Sequence, residues 1–149
     1  MKYQEFLKTL PEIIVPALPE SLHGIKVRQP YRWLIQFHYG EPRLHYEVSR
    51  SRGQKGLELG FHCESRDKAL NRLLLFGFRQ HLFEIKDVLG ESMEAEMWDR
   101  GWTKIYDVCP LVDFTAEYQR EVGQRMVKII ACIHPIYVEL RSQAQRVYR

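Results

Sequence analysis

Two short runs set metal-ligating and acid–base side chains on alternate residues. In RLHYEVS, His45, Glu47 and Ser49 share one face and Leu44, Tyr46 and Val48 the other. In LELGFHCE, the polar face holds Glu58, Gly60, His62 and Glu64, against Leu57, Leu59, Phe61 and Cys63. His38, in YRWLIQFHY, has the same parity. Neighbouring strands bring facing side chains to about 5 Å, and two registers arise: Glu47 opposite Glu58, or His45 opposite His62. Imidazoles and carboxylates together suit zinc, manganese or iron. The same alternation also describes the wet side of an antiparallel sheet, and spacing alone favours that solvated face. No cofactor and no metal is expected; the candidates, if a metal is present, are His45, Glu58 and His62.

The second chemistry within reach is phosphodiester hydrolysis. A restriction-endonuclease-like site needs one acid on a strand and Glu-x-Lys on the next, the acids holding Mg²⁺ and the lysine stabilising developing charge. Glu47 and Glu58 could be the catalytic acids, but Gly60 stands where the lysine belongs and Lys55 lies in the preceding loop. That loop, SRSRGQKG, carries Arg50, Arg52 and Lys55, a basic tip able to sit on phosphates. Trp98 and Trp102 flank a DRG turn and could stack bases or cover a sheet end. No Ser-His-Asp or Cys-His arrangement, P-loop or G-x-S-x-G elbow occurs.

The elements that must position these residues follow from periodicity. Residues 1–10 form a short amphipathic helix, and Pro11, Pro16 and Pro19 then mark an extended connector. Three alternating runs, YRWLIQFHY, RLHYEVS and LELGFHCE, read as a meander. A helix capped by Ser65 or Asp67 runs to about Leu89 and ends at Gly90. MEAEMWD and WTKIYDVC are two further strands joined at Asp99-Arg100-Gly101, and a long helix follows from about Asp113, with Pro135 expected to kink it. The order α-βββ-α-ββ-α defines an α+β two-layer sandwich, with an antiparallel sheet of about five strands and helices on one face. Residues 1–149 read as a single domain, 1–30 as N-terminal helix and connector and 31–149 as the sandwich.

At 149 residues and 45% hydrophobic, the chain can bury an ordinary core. A net charge of +3 permits weak nucleic-acid contact without a concentrated basic stripe. Three scattered cysteines make neither a disulfide framework nor a zinc ribbon. Glu5, Lys8 and Glu12 interrupt any signal-peptide core, and no apolar run approaches the roughly 20 residues of a membrane span. A cytoplasmic protein without membrane contact is expected. The apolar positions past Pro135 (Ile136, Tyr137, Leu140, Ala144, Val147) suggest a homodimer through the C-terminal helix.

The LELGFH strand, Asn71 early in the next helix, the segment FEIKDVLGESMEAEMW, the strand WTKIY and the long terminal helix together resemble a bacterial and archaeal domain family of unknown function. The resemblance covers roughly Tyr31 to Leu140. Members of that family are often fused to, or encoded beside, restriction-endonuclease-like proteins, so the resemblance implies this fold and a restriction-associated setting. A complete core pattern without a catalytic motif points to a non-enzymatic binding or accessory module. The alternative is a divergent metal-dependent nuclease using Glu47 and Glu58.

Overall fold

The computed structural model describes residues 1–50 and 56–147. Its elements are α1 (Tyr3–Thr9), α2 (Pro11–Ala17), a 3₁₀ turn (Glu20–Leu22), β1 (Lys26–Tyr31), β2 (Leu34–His38), β3 (Leu44–Arg50), β4 (Gly56–Cys63), α3 (Lys68–Gln80), α4 (Leu82–Leu89), β5 (Glu94–Asp99), β6 (Trp102–Pro110) and α5 (Ala116–Val147). The strands form one antiparallel sheet in the order β1-β2-β3-β4-β6-β5. Phe37, Tyr46, Val48, Leu59, Phe61 and Ile105 on one face join the helices in a single core with Phe6, Leu74, Phe78, Met126, Ile129 and Ile133. This is the expected α+β architecture, with six strands where about five were expected.

The extra strand is β1. Its sequence, KVRQPY, has no alternation because an edge strand pairs on one side only, and nearly all of it is exposed. Pro30 is tolerated there because an edge strand has donors that need no partner. Tyr31 therefore ends β1, and the chain turns at Arg32-Trp33 before β2 begins at Leu34, three residues later than the YRWLIQFHY alternation implies.

The proline-rich connector is also different. Residues 11–17 are helical: Pro11 occupies the first turn, where its missing N–H is not needed, and Pro16 lies one residue from the helix end. Ile14 of α2 is buried, as are Phe6 and Leu7 of α1, and Gln119 of α5 ties the first helix down by donating to the Phe6 carbonyl at 2.9 Å.

The helix expected over 67–89 is two helices broken at His81, which has φ −95° and ψ 2°. The stripe Phe78–Ile85–Leu89 stays in helical step across this break, which is why apolar spacing does not register it. Asp67 caps α3 by accepting from the Ala69 and Leu70 N–H groups at 3.0 and 3.3 Å. Asp67→Ala is expected to lower stability by about 1 kcal/mol, the usual worth of such a cap; a urea midpoint unchanged from the parent would contradict this.

Buried Asn71 holds the two halves of the sheet's open end together. Its amide donates to the carbonyls of Ser65 (2.9 Å) and Gly101 (3.2 Å), its oxygen accepts from Ser65 N–H (3.0 Å), and its own carbonyl accepts from Thr103 (2.9 Å). The β5–β6 hairpin is thereby fixed beside the end of β4. Arg100 (φ 51°) and Gly101 (φ 80°) make its two-residue turn, whose left-handed backbone matches strand twist.

α5 continues through Pro135 as one helix. Beyond that point Tyr137, Leu140 and Ala144 are buried within the chain itself: the Tyr137 ring lies 4.8 Å from Phe61, and Arg141 bonds Glu41 at 3.0–3.3 Å. Among the described residues no helix is long and apolar enough to cross a membrane.

Candidate functional site

The polar face of the sheet is buried, which overturns the expectation of a solvated side. Glu58 and His62 are each 3% exposed, and Gln36, His45, Glu47, Ser49 and Lys104 are buried with them. They lie in a cleft of about 1060 Å³ walled by strands and their turns, with no helix among the described lining residues. Such enclosure by a sheet alone follows from strand twist plus long flanking side chains. Here the flanks are Arg28, Tyr31, Trp33, Arg43 and Arg50 on one side and Trp98, Trp102 and Lys104 on the other.

Register decides which groups meet. His45 stands opposite His62, Glu47 opposite Gly60, and Ser49 opposite Glu58; β6 then sets Lys104 beside His62 and Tyr106 beside Gly60. The second of the two anticipated registers is thus the one adopted. Gly60 occupies the middle of the polar face and contributes no side chain, so its neighbours lean over it.

Glu47 is the hub. Its Oε1 accepts from Gln36 at 3.1 Å and lies 3.2 Å from His45 Nε2, while its Oε2 lies 3.6 Å from His62 Nε2. That same His62 nitrogen is 3.7 Å from Glu58 Oε1. The two carboxylates anticipated as a catalytic pair therefore converge on one atom. Lys104 Nζ sits 2.7 Å from Glu58 Oε1, a close ion pair. Among the described residues, His62 Nε2 is buried without a hydrogen-bond partner, and Glu58 Oε1 is met by the Lys104 ammonium alone. The Lys104 ammonium also lies 4.2 Å from the Tyr106 ring centre and 5.2 Å from that of Trp98.

The two inner histidines are held from behind. His45 Nδ1 is 2.8 Å from the Pro42 carbonyl and His62 Nδ1 is 3.1 Å from Glu64 Oε2. Both partners are acceptors, so each Nδ1 carries a proton and donates it, and each Nε2 faces the cluster. The rings stack at 5.6 Å between centres.

Burial pushes the Glu47 carboxyl up, but the charge of His62 and the hydrogen bond from His45 outweigh it and hold the group down at about 2. For His62 burial works downward and is outweighed by Glu47, Glu64 and Glu58, so its value is raised above 6.5. Glu47 contributes stability above its ordinary 4.5 and loses it as pH falls toward about 2. His62 contributes below its ordinary 6.5 and loses it as pH rises through the raised value. Both describe one pair, counted once. Metal-free protein is expected to be most resistant to urea between about pH 4.5 and 6.5, and Glu47→Gln should flatten that optimum. An equally curved profile in the variant would refute the assignment.

Of the anticipated residues, the structure brings together His45, His62, Glu47, Glu58 and Glu64, and leaves out His38, whose Nδ1 accepts from Gly40 N–H at 3.1 Å. Arg50 lines the cleft, whereas Arg52 and Lys55 lie outside the described residues. Trp98 and Trp102, 5.4 Å apart between ring centres, line the cleft rather than only capping the sheet. Lys104 and Gln36 were not anticipated. The signal for Lys104 was its parity with Trp102 and Tyr106 on β6, readable only once β6 is known to neighbour β4. No family model, curated protein or solved structure matches the chain.

Proposed function

We propose that the protein is a non-enzymatic binding module that takes single-stranded nucleic acid in this cleft. The observation that carries the reading is the composition of the rim. All three tryptophans of the chain line the cleft, with Tyr31, Arg28, Arg43 and Arg50. Tyr31 and Trp33 stack on each other at 4.7 Å and stand more than half exposed. Exposed flat rings offer stacking surfaces to bases, at about 1–3 kcal/mol per base, and arginines hold the backbone phosphates. The restriction-associated setting implied by the family resemblance belongs to the same proposal, as does a cytoplasmic location, which three unpaired cysteines support.

The test is anisotropy of a labelled oligothymidylate titrated with protein at low salt. Saturable binding that weakens with added salt, and by about tenfold or more in Trp33→Ala, is the expected result. Absence of binding, or a Trp33→Ala variant that binds as the parent does, would sink the reading.

One observation favours a second reading, the metal-dependent nuclease. The lysine missing after Glu58 in sequence is supplied from β6 by Lys104. Hydrolysis of nucleic acid with Mg²⁺ or Mn²⁺ that disappears in Glu58→Ala would replace the module with an enzyme. Homodimerisation through the C-terminal helix is a separate proposal, supported by the exposed Val138 on α5. Light scattering at twice 17.8 kDa would uphold it, and a single-chain mass would remove it.

A further inference from the structure

We infer that His45, Glu47 and His62 form a binding site for one divalent transition-metal ion, with zinc as the best-matched occupant. The first argument is distance. Zinc holds nitrogen and oxygen ligands at about 2.0–2.2 Å, so two ligands on a tetrahedral ion are about 3.4 Å apart. His45 Nε2 to Glu47 Oε1 is 3.2 Å and His62 Nε2 to Glu47 Oε2 is 3.6 Å. Both lie close to that ligand–ligand spacing, one through each oxygen of Glu47, and the second is too long for a hydrogen bond. One donor atom from each of His45, Glu47, His62 and Glu64 lies within 4.8 Å of the other three.

The second argument is proton placement. Both Nδ1 atoms are committed to acceptors behind the rings, Pro42 O and Glu64 Oε2, the outer-shell arrangement that aims the other nitrogen at a metal. With neutral rings both Nε2 lone pairs point at carboxylate oxygens, acceptor against acceptor. A cation between them removes the conflict. The third argument is charge. Buried Glu47 and Glu58, with half-buried Glu64, crowd carboxylates around one imidazole, and a divalent ion among them relieves their repulsion. The fourth is His62 Nε2, which among the described residues is buried without a hydrogen-bond partner, on a residue 3% exposed. Two imidazoles select against magnesium and calcium, which take oxygen ligands. Three protein ligands leave a position open toward Glu58 and Lys104. Glu64 acts as a positioning residue through His62.

The site does not depend on the nucleic-acid reading, because the probe is the metal alone. Chelator-treated, intact protein is titrated with zinc by calorimetry, and with Co²⁺ while visible absorption is recorded. One ion per chain is expected, with cobalt bands of nitrogen–oxygen coordination, tenfold or greater weakening in Glu47→Gln and His45→Gln, and about tenfold in Glu64→Gln. Glu64 is at the cluster's edge, so its variant keeps the test open should the inner two fail to fold. Folded parent protein that binds no zinc at one to one overturns the site. So does binding that all the folded variants retain at the parent's affinity.

Discussion

Removing the Lys104 ammonium, as in Lys104→Met, is expected to destabilise the protein by about 3–5 kcal/mol, a large part of the roughly 5–15 kcal/mol that holds a domain together. The cause is what remains behind. Glu58, 3% exposed, depends among the described residues on the Lys104 ammonium at 2.7 Å from its Oε1 for compensation. Without that charge, a carboxylate sits buried beside Glu47 and Glu64 with only the His62 ring between them. The thioether keeps most of the lysine's apolar stem, so lost packing is a small part of the effect. Adding Glu58→Gln to Lys104→Met should recover most of the loss, because the stranded charge goes with it. Chemical denaturation of the four proteins in this cycle, at fixed pH and without metal, measures the coupling. A Lys104→Met variant within about 0.5 kcal/mol of the parent, the usual range for a surface change, would show that Glu58 is not held as described.

The second large effect belongs to a residue with no side chain. A Cβ on Gly60 would meet the Ile105 carbonyl oxygen, and would lie 2.7 Å from Tyr106 Cα and 2.6 Å from Tyr106 Cβ. These neighbours are backbone and backbone-proximal atoms of β6, so no rotamer change relieves the contact and the strands must part. Gly60→Ala is expected to cost about 3 kcal/mol, the upper range for overpacking, which for a chain of this size lowers Tm by about 10 °C. The same displacement moves Lys104 relative to Glu58 and His62, since β6 carries it, so ligand binding should fall with stability. Gly24→Ala is the control: nothing lies within 4 Å of its added Cβ, and its Tm should stay at the parent's value. Equal behaviour of the two variants would contradict the close β4–β6 approach.

The meander, the two later strands and the terminal helix were legible because each sets an apolar face on the core and polar residues on the other, and that segregation imprints a period on the sequence. β1 escaped because an edge strand with its side chains in water carries no such imprint. α2 escaped because a run of prolines argues against helix, whereas Pro11 sits in the first turn, where proline costs least, and Pro16 comes only one residue before the helix ends. The site was half legible. Alternation put His45, Glu47, Glu58, His62 and Glu64 on one face, and every one of them lines the cleft. Whether that face was wet or buried could not follow from alternation, because polar residues mark both a solvated sheet and an internal polar cluster. The deciding facts are long-range: β6 inserts between β4 and β5, bringing Lys104, Trp98 and Trp102 across from residues forty positions away in sequence. Lys104, which meets Glu58 at 2.7 Å, comes from the neighbouring strand, a pairing that adjacency to Glu58 in sequence does not reveal.

The central claim is that this buried polar face receives a ligand from its aromatic rim. The three tryptophan indole N–H groups, all at the cleft, give three resolved signals in a nitrogen–proton correlation spectrum of labelled protein. On titration with an unlabelled single-stranded oligonucleotide, the claim predicts that all three shift together and saturate at one ligand per chain. Indole signals that stay fixed while backbone amides elsewhere on the protein move would place the ligand outside the cleft and contradict it.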